Sequence, residues 1–431
     1  MPIKNLISNA SQSLDVIDVS DEKYGAVRNG ITDDYIPISL AIADLRGSGD
    51  LHFLKGTYRT ASNLTMAEGI RYVPEQGAMI SVDGIAVSAI TKANPGIVTT
   101  LTAHNFSTND KVRFKDVSGM AELNYSTNGG VEKTATYIDP THFSIGDTSG
   151  YSLYTSGGYT QHILTINGTI DAGLYQIFAG NGAISLNKVE AVYPHWFGAI
   201  CDGITNDVSA AQCTFNALNN GGVVIFPQSI YWSGSITIPT SNITIDGQNS
   251  TVKGHFYTSN QQNITFCNIL FEGHYLRFDN SHRIKIDRCE FYNSYYGAYF
   301  GYGTTDLCDN ITVTNCKFYQ DANRPAGNYP VGLYFQYASN AFVENCTFKN
   351  ILPSDLSGSY EGYGIYAGDG QCDGQLIVIK NKFILTEDAG SYWTGVLDAQ
   401  FPHCYIAENN FDSDYVTVGM GIGSNNISYP S

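Results

Sequence analysis

A strand-like pattern that recurs six times between residues 264 and 411 constrains the fold of this chain more than any other feature. Each copy alternates apolar and polar residues and ends in a phenylalanine. The phenylalanines are 20 to 35 residues apart: Phe271, Phe291, Phe318, Phe348, Phe383 and Phe411. A single short strand cannot bury its apolar face alone, so repeats at this period predict stacked coils. No segment here places apolar residues at helical spacing over two turns, which excludes helical repeats.

A second set of positions supports the same register. The aligned glycines are Gly297, Gly332, Gly364 and Gly395, and two positions later stand Tyr299, Tyr334, Tyr366 and Leu397. Each coil therefore has at least two strands, and a third fits its length. A further column contains Cys289, Cys316, Cys346, Asn381 and Asn409. Such columns stack about 4.8 Å apart, so the variation in period must lie in the turns, where functional groups concentrate.

An internal duplication precedes these repeats. Residues 24–45 match residues 197–218 without a gap, at an offset of 173. Each copy has a glycine-rich turn, RNGITDD or CDGITND, followed by a helix-like run. We predict that the Thr and Asp of each turn cap a short helix, which covers the open end of a solenoid. Between the copies, residues 90–163 contain five or six short strands separated by turn residues, which predicts a small antiparallel barrel.

These features together resemble the right-handed parallel β-helix of the pectate-lyase-like superfamily. The two turns resemble the GDGxTDD cap of that superfamily, and VYPHWFGA (192–199) resembles the lead-in found in bacteriophage tailspikes and capsule depolymerases. Residues 90–163 resemble the small barrel around the first catalytic cysteine half-domain of ubiquitin-activating enzymes. This segment contains no cysteine, so the resemblance implies no thiol chemistry.

The resemblance implies an all-β protein with five parts. These are an N-terminal arm (1–20), a first cap and coil (21–89), the inserted barrel (90–163), a lead-in and second cap (164–241), and the β-helix (242–431). It also implies a homotrimer in the virion tail that acts outside the host cell on capsular or O-antigen polysaccharide. The arm would contact other tail proteins.

The composition excludes several other functions. A net charge of −17, from 23 basic and 40 acidic residues, disfavours nucleic acid and membrane surfaces as partners. No apolar run reaches the length of about 18 residues that a membrane span needs, and the first residues lack the apolar core of a signal peptide. Nine cysteines, an odd number, predict free thiols in a reduced compartment. No motif indicates a metal or a cofactor.

Three carboxyl groups are the candidate catalytic residues: Glu361, Asp369 and Asp398. The glycine alignment puts Asp369 and Asp398 one coil apart and two residues offset, so their backbones would be roughly 8 Å apart. Inverting glycosidases separate their two carboxyl groups by a similar distance. Asp398 also shares a column with inward-facing residues such as Phe335, and Glu361, in the adjoining turn, could replace either member of the pair. Hydrolysis is therefore the first functional hypothesis.

Three long turns, residues 320–330, 350–364 and 385–395, lie on one side of the solenoid and would form the wall of a groove. The candidate substrate-binding residues there are Tyr299, Tyr334, Tyr366, Tyr363 and Trp393, whose rings suit sugars. A tyrosine ladder that only stabilises strand pairing also explains this column. Two alternatives to hydrolysis stay open. One is a lyase that uses His274 with Arg277, or Arg324 with Tyr329, for β-elimination from a uronate. The other is an adhesin that binds glycan without cleaving it.

Overall fold

The computed structural model describes most of the chain. The described residues are 15–125, 132–302, 307–321, 323, 329–354, 361–368, 370–386, 392–398, 400–413 and 418–422. The chain divides into two compact units, Met1–Met120 with Glu132–Val189 and Ala121–Val131 with Glu190–Ser431. All nine cysteines lie in the described ranges, and no two of them form a disulfide bond. Within the same ranges, neither helix is long and apolar enough to cross a membrane.

The first unit is a short parallel solenoid with an antiparallel insert. Its elements are β1 Val16–Asp18, β2 Asn29–Asp33, α1 Tyr35–Asp44, β3 Ser48–Phe53, β4 Gly56–Thr60, β5 Leu64–Met66, β6 Gly69–Pro74, β7 Ala78–Val82, β8 Gly84–Ile90, β9 Ile97–Thr100, β10 Lys111–Lys115, β11 Lys133–Thr134, β12 Thr136–Asp139, β13 His142–Ser144, β14 Tyr159–Gln161, β15 Ile163–Ile166, β16 Phe178–Gly180 and β17 Ala183–Leu186. Three parallel sheets, β1-β3-β6, β2-β4-β7-β16 and β5-β15-β17, form the sides of its coils. The described end of the predicted arm is therefore strand β1, which pairs with β3.

The insert, β8 to β14, interrupts a coil between its second and third strands. Its two ends pair antiparallel, with Gly84 opposite Gln161, so the coil resumes at once in β15. The insert has seven strands and begins at Gly84, whereas the sequence predicted five or six strands from residue 90. Its two edge strands, β11 and β12, are joined through Ala135, whose N–H donates to the C=O of Asp110 at 2.8 Å. This connection closes the sheet into a barrel.

The second unit contains the long solenoid. Its elements are two 3₁₀ turns at Ala121–Leu123 and Pro194–Phe197, α2 Val208–Asn216, β18 Gly222–Ile225, β19 Ile230–Ile238, β20 Ile243–Ser259, β21 Gln262–Glu272, β22 Leu276–Asp279, β23 His282–Asp287, β24 Glu290–Tyr292, β25 Tyr296–Phe300, β26 Cys308–Thr314, β27 Lys317–Tyr319, β28 Val331–Phe335, β29 Ala338–Glu344, β30 Thr347–Lys349, β31 Glu361–Ala367, β32 Asp373–Ile379, β33 Lys382–Leu385, β34 Tyr392–Asp398, β35 His403–Ala407, β36 Asn410–Ser413 and β37 Val418–Ile422.

Each coil of this solenoid has three strands, all paired in parallel with the coils before and after. We call the three sides A, B and C, in chain order. Side A contains β23, β26, β29, β32 and β35; side B contains β24, β27, β30, β33 and β36; side C contains β22, β25, β28, β31, β34 and β37. The long strands β20 and β21 run round the corners between sides. The predicted parallel coils are confirmed, with three strands in each.

The predicted phenylalanine column forms the interior of side B. Neighbouring rings from Phe271 to Phe411 stack with centroids 4.7 to 5.0 Å apart and planes within 16° of each other. The glycine column accommodates these rings. A Cβ on Gly332 would lie 2.8 Å from a ring carbon of Phe348 and 2.5 Å from the carbonyl oxygen of Gly364. Any side chain at the glycine positions would therefore displace the stack.

The cysteine and asparagine column bonds one coil to the next. The N–H of Cys289 donates to the Sγ of Cys316 at 3.4 Å, and the N–H of Cys346 donates to the Oδ1 of Asn381 at 2.8 Å. The N–H of Asn381 donates in turn to the Oδ1 of Asn409 at 2.8 Å. Thiol and amide thus have the same task, which is to accept a buried N–H that no strand partner satisfies.

The duplicated turns precede the two helices as predicted, but their aspartates do not cap them through their side chains. Asp34 and Asp207 occupy the N-cap positions and are buried. In each copy the carboxylate instead accepts the N–H groups of the residues six and seven positions earlier, at 2.7 to 3.2 Å. The chain folds back over the start of the helix there, so the aspartate closes that loop.

Candidate functional site

The outward face of side C carries a column of aromatic and charged side chains over six coils. In register from β20 to β34 the column contains Tyr257, Arg277, Tyr299, Tyr334, Tyr366 and Leu397. Successive residues of a strand point to opposite faces, so the phenylalanines one position later point inward. There Phe278, Phe300 and Phe335 stack in the interior. The predicted tyrosine column is confirmed, and it extends two coils further than its glycines indicated.

The tyrosines on the coils nearer the C-terminus, which we call the upper coils, pack mainly on one another. Tyr299 and Tyr334 stack at 4.2 Å with planes 27° apart, and Tyr366 meets Tyr334 edge-on at 5.0 Å. Tyr363 joins this cluster through Tyr366, at 4.7 Å. Tyr299, Tyr334 and Tyr363 are only 4 to 8% exposed, whereas Tyr366 is partly buried. The buried rings use their faces in the ladder, which leaves Tyr366 as the accessible member of this upper group.

Glu361 begins strand β31 and accepts a hydrogen bond from the phenol of Tyr363. Burial, together with this bond, raises the pKa of Tyr363 well above its usual value, so the phenol stays protonated. Strand register pairs Glu361 with Tyr392, and pairs Asp398 with Ala367 at the other end of the strand. Six residues of extended strand span about 20 Å. Glu361 therefore does not replace Asp369 as the partner of Asp398, because paired carboxyl groups need about 5 to 9.5 Å.

The other two carboxyl groups are less fully described. The backbone of Asp398 lies in the column of Phe300, Phe335 and Ala367, as predicted. The side chain of Asp398 and the whole of Asp369 lie outside the described residues, as do Arg324 and most of the three long turns. The described ends of those turns connect side B to side C, which is the arrangement that the sequence predicted.

Trp393 lies on the wrong face for the predicted contact with sugar. It is in register with Gly362, the residue between Glu361 and Tyr363, so strand alternation directs its indole to the opposite face from theirs. The indole is 1% exposed, and its Nε1–H has no hydrogen-bond acceptor within the described part of the chain. In this conformation Trp393 packs inside the protein and presents no ring to solvent.

At the end of the column nearer the N-terminus, which we call its lower end, a carboxylate and two aromatic rings contact an arginine. The guanidinium of Arg277 lies over the rings of Tyr257 and Tyr302, with its central carbon 5.0 and 4.2 Å from their centroids. Its Nε and Nη2 both donate to Oδ2 of Asp279, at 3.1 and 2.7 Å. The other carboxylate oxygen accepts the N–H of Tyr302 at 3.0 Å. Asp279 is buried, whereas the Arg277 side chain is 31% exposed and Tyr302 is 50% exposed.

Two histidines lie beside this arginine. The N–H of Tyr275 donates to Nδ1 of His255 at 3.2 Å, so the proton of that imidazole is on Nε2. This Nε2 is 3.3 Å from Nδ1 of His274, which assigns the proton of neutral His274 to its own Nε2. Burial lowers the pKa of His255 to about 4 and also lowers the pKa of His274. Both rings are therefore neutral near pH 7.

The described residues contain no group of three or more His, Cys, Asp or Glu side chains that could hold a metal ion. The sequence reasoning proposed His274 with Arg277 for lyase chemistry but missed Tyr257, Asp279 and Tyr302. The signal was available for Tyr257, because its spacing of 20 residues from Arg277 equals the first period of the phenylalanine column. Tyr302 lies in a turn whose path the repeat does not specify.

Comparison with known families supports both parts of the predicted architecture. Residues 250–428 match the family model "Right handed beta helix region", and residues 93–163 match "Ubiquitin-activating enzyme E1 FCCH domain". The chain is 42% identical over 79 residues to the human ubiquitin-like modifier-activating enzyme 1. That match covers 18% of this chain and 7% of the enzyme. The long solenoid is a right-handed β-helix, and the insert is similar to the FCCH domain of ubiquitin-activating enzymes.

The solved structures that match this chain have low sequence identity and low TM-scores. The Gp54 tailspike of Acinetobacter baumannii bacteriophage AP22, in complex with A. baumannii capsular saccharide, is 11% identical with a TM-score of 0.31, over 95% of this chain and 76% of that one. The Streptococcus pneumoniae surface protein and adhesin PfbA is 11% identical with a TM-score of 0.30, over 95% and 100% of the two chains. A Yersinia enterocolitica family 28 exopolygalacturonase is 12% identical with a TM-score of 0.28, over 96% and 79%.

Proposed function

We propose that this chain, a right-handed β-helix with an inserted FCCH-type barrel, binds and depolymerises a bacterial surface polysaccharide as part of a phage tail. The observation that carries the proposal is the outward face of side C, where rings and hydrogen-bonding groups follow one another from Tyr257 to Tyr366. Aromatic rings with polar tips bind the apolar faces and hydroxyl groups of sugars. A shaft with only a structural role does not need the exposed ring of Tyr302 or the ring of Tyr329, which is 48% exposed.

Hydrolysis is the chemistry that we propose. Of the three candidate carboxyl groups, Asp369 and Asp398 form the proposed catalytic pair, with one acting as general acid and the other as general base. Asp398 is in register with Ala367, two residues before Asp369 in the sequence. Glu361, oriented by the phenol of Tyr363, is the third candidate and would act with a different partner.

One assay separates hydrolysis from its two alternatives. The protein is incubated with capsular and O-antigen polysaccharides from a panel of bacterial hosts. New reducing ends without the ultraviolet absorbance of an unsaturated uronate indicate a hydrolase, and both signals together indicate a lyase. Binding with neither signal indicates an adhesin. No binding and no cleavage across a panel that includes the natural host would contradict the proposed function.

Two substitutions test the residues within the hydrolase. Asp369→Asn and Glu361→Gln each remove one candidate carboxylate, and loss of the general acid or base lowers turnover by about 10²-fold or more. The matched control is Glu344→Gln on side A, where the carboxylate forms a partly exposed ion pair with Lys380 at 3.0 Å. The assignment is wrong if both site variants keep the turnover of the wild type.

We also propose that the chain forms a homotrimer and that its first residues contact other tail proteins. The support is the resemblance of the lead-in at residues 192–199 to bacteriophage tailspikes, which implies a trimer. Light scattering at micromolar concentration is expected to give the mass of three chains. A monomer under those conditions would contradict the trimer for this chain.

A further inference from the structure

We infer that the lower end of side C is a subsite for a sugar that carries a carboxylate, so that the polysaccharide bound by this chain is acidic. This inference rests on the proposed function and names the class of its substrate. We call this group the acid-sugar subsite: Tyr257, His274, Arg277 and Tyr302. It is separate from the three carboxyl groups considered for catalysis.

The first argument comes from the geometry of the arginine. A guanidinium has five N–H groups in one plane. Asp279 accepts from Nε and Nη2 on one edge. The opposite edge, which contains Nη1 and the second N–H of Nη2, meets no acceptor in the described part of the chain. That edge matches the two oxygens of a carboxylate, which is the bidentate pairing for which arginine is suited.

The two tyrosines restrict how a ligand can approach. The rings of Tyr257 and Tyr302 both lie within cation–π distance of the guanidinium of Arg277, at 5.0 and 4.2 Å. These rings hinder approach over the guanidinium, and the Arg277 side chain is still 31% exposed, so a ligand in the plane of the guanidinium can reach it. Since Asp279 and the rings already hold the guanidinium, binding a carboxylate costs little side-chain entropy.

The histidine pair adds a donor beside the arginine. The hydrogen-bond chain from Tyr275 through His255 leaves an N–H on Nε2 of His274, and this group contacts no acceptor among the described residues. His255 lies two residues before Tyr257 on β20, about 7 Å along the strand. His274 is thus a donor within reach of the same sugar, rather than the base that β-elimination requires. The N–H groups of Arg277 and His274 together favour a ligand rich in acceptors.

The net charge of the chain excludes non-specific electrostatic attraction as the source of a preference for carboxylated sugars. A net charge of −17 repels an acidic polysaccharide, and the Arg277–Asp279 pair adds no net positive charge. Binding must therefore come from directed hydrogen bonds at the subsite. Chemical reduction of the carboxylate to an alcohol removes one of the two oxygens that accept these bonds. A hydroxyl accepts from one edge N–H, whereas a carboxylate accepts from both.

The experiment uses the full chain and the polysaccharide from the panel that it binds, in native form and after chemical reduction of its carboxyl groups. Wild-type affinity is expected to fall by about 10- to 100-fold on reduction, which corresponds to charge-assisted hydrogen bonds. Arg277→Gln is expected to lower the affinity for the native polysaccharide by the same factor and to change the affinity for the reduced polysaccharide little. Arg277→Lys is expected to recover only part, because an ammonium is a single-point donor. The matched control is Arg283→Gln on side A, an exposed arginine bonded to Asn263 and Gln262, and its affinity is expected to stay unchanged.

Three results would overturn the inference. They are a bound polysaccharide without any carboxylated sugar, unchanged wild-type affinity after carboxyl reduction, and an equal loss for both polysaccharide forms in Arg277→Gln. The reduction experiment uses the wild type, so it decides the question even if Arg277→Gln does not fold. Cleavage that persists on the reduced polysaccharide with unchanged affinity leaves the proposed function standing and removes only this subsite.

Discussion

Replacement of Asn381 by alanine tests how the coils are held together. Asn381 is 1% exposed and lies in the middle of the cysteine and asparagine column. Its Oδ1 accepts the N–H of Cys346 at 2.8 Å, and its Nδ2 donates to the C=O of Val343 at 3.0 Å. Nδ2 also donates to Oδ1 of Asn409 at 3.0 Å, so alanine removes three bonds, and water cannot take their place in the interior of the solenoid.

The expected loss follows from the two groups left without a partner. Each buried backbone group that loses its partner costs about 1–3 kcal/mol, so Asn381→Ala should lower the free energy of unfolding by about 2–6 kcal/mol. Asn381→Cys is the informative comparison, because cysteine already does this task at position 346 of the same column. A thiol restores a weak acceptor and a weak donor. We expect it to cost about 1 kcal/mol, the net value of one ordinary hydrogen bond.

Two measurements check this prediction. Urea unfolding followed by tryptophan fluorescence gives the free-energy differences, and hydrogen exchange reports on the amide of Cys346 directly. In Asn381→Ala that amide should exchange faster than in the wild type, and in Asn381→Cys it should stay protected. The account of the column is refuted if alanine costs less than about 0.5 kcal/mol, the scale of ordinary surface substitutions. It is also refuted if cysteine is as destabilising as alanine.

Two further predictions concern packing and pH. Gly332→Ala should lower the free energy of unfolding by about 1–3 kcal/mol through overpacking, since its Cβ would lie 2.5 Å from the Gly364 oxygen. The control is Gly150→Ala, whose Cβ would have no atom within 4 Å. Equal unfolding midpoints for the two variants would contradict the packing argument. Burial lowers the pKa of His162 to about 4 in the folded barrel, so the unfolded chain binds the extra proton first as pH falls. Stability should therefore decline from about pH 6.5 to pH 4, and His162→Gln should flatten that decline in urea unfolding at several pH values. An unchanged slope would rule out His162 as its source.

Stacking made most of the long solenoid predictable from the sequence. In-register coils repeat a side chain at each level, so Phe271 to Phe411 and the glycines opposite them appear in the sequence as columns. Cys289, Cys316 and Cys346 occupy one buried column for the same reason. What the repeat encodes is the path of the strands, and the strands are where the predictions are confirmed.

The sequence was less informative wherever the chain leaves the repeat. The insert begins inside a coil, and nothing in the period of the first unit marks Gly84 as the point of departure. Asp34 and Asp207 looked like helix caps because type and position fit, but their carboxylates meet the N–H groups of a loop that only the fold brings near. The subsite at Arg277 also depends on Tyr302, a turn residue outside every column.

The candidate site shows the same contrast. The column from Tyr299 to Tyr366 was predicted, but burial of Tyr299 and Tyr334 depends on packing that sequence spacing does not report. The indole of Trp393 suits sugar binding, but its position opposite Gly362 directs it to the face of the strand away from Glu361 and Tyr363. Glu361 and Asp398 share a strand pair but lie at opposite ends of it. Such distances follow only after each residue has been assigned to a strand.

The most direct test of the central claim is a crystal structure of the chain with an oligosaccharide from a susceptible host. The account predicts sugar along the outward face of side C, with a carboxylate on the free edge of the Arg277 guanidinium and a ring beside Tyr302. Sugar bound only to side A, side B or the inserted barrel would contradict the claim that side C is the glycan-binding face.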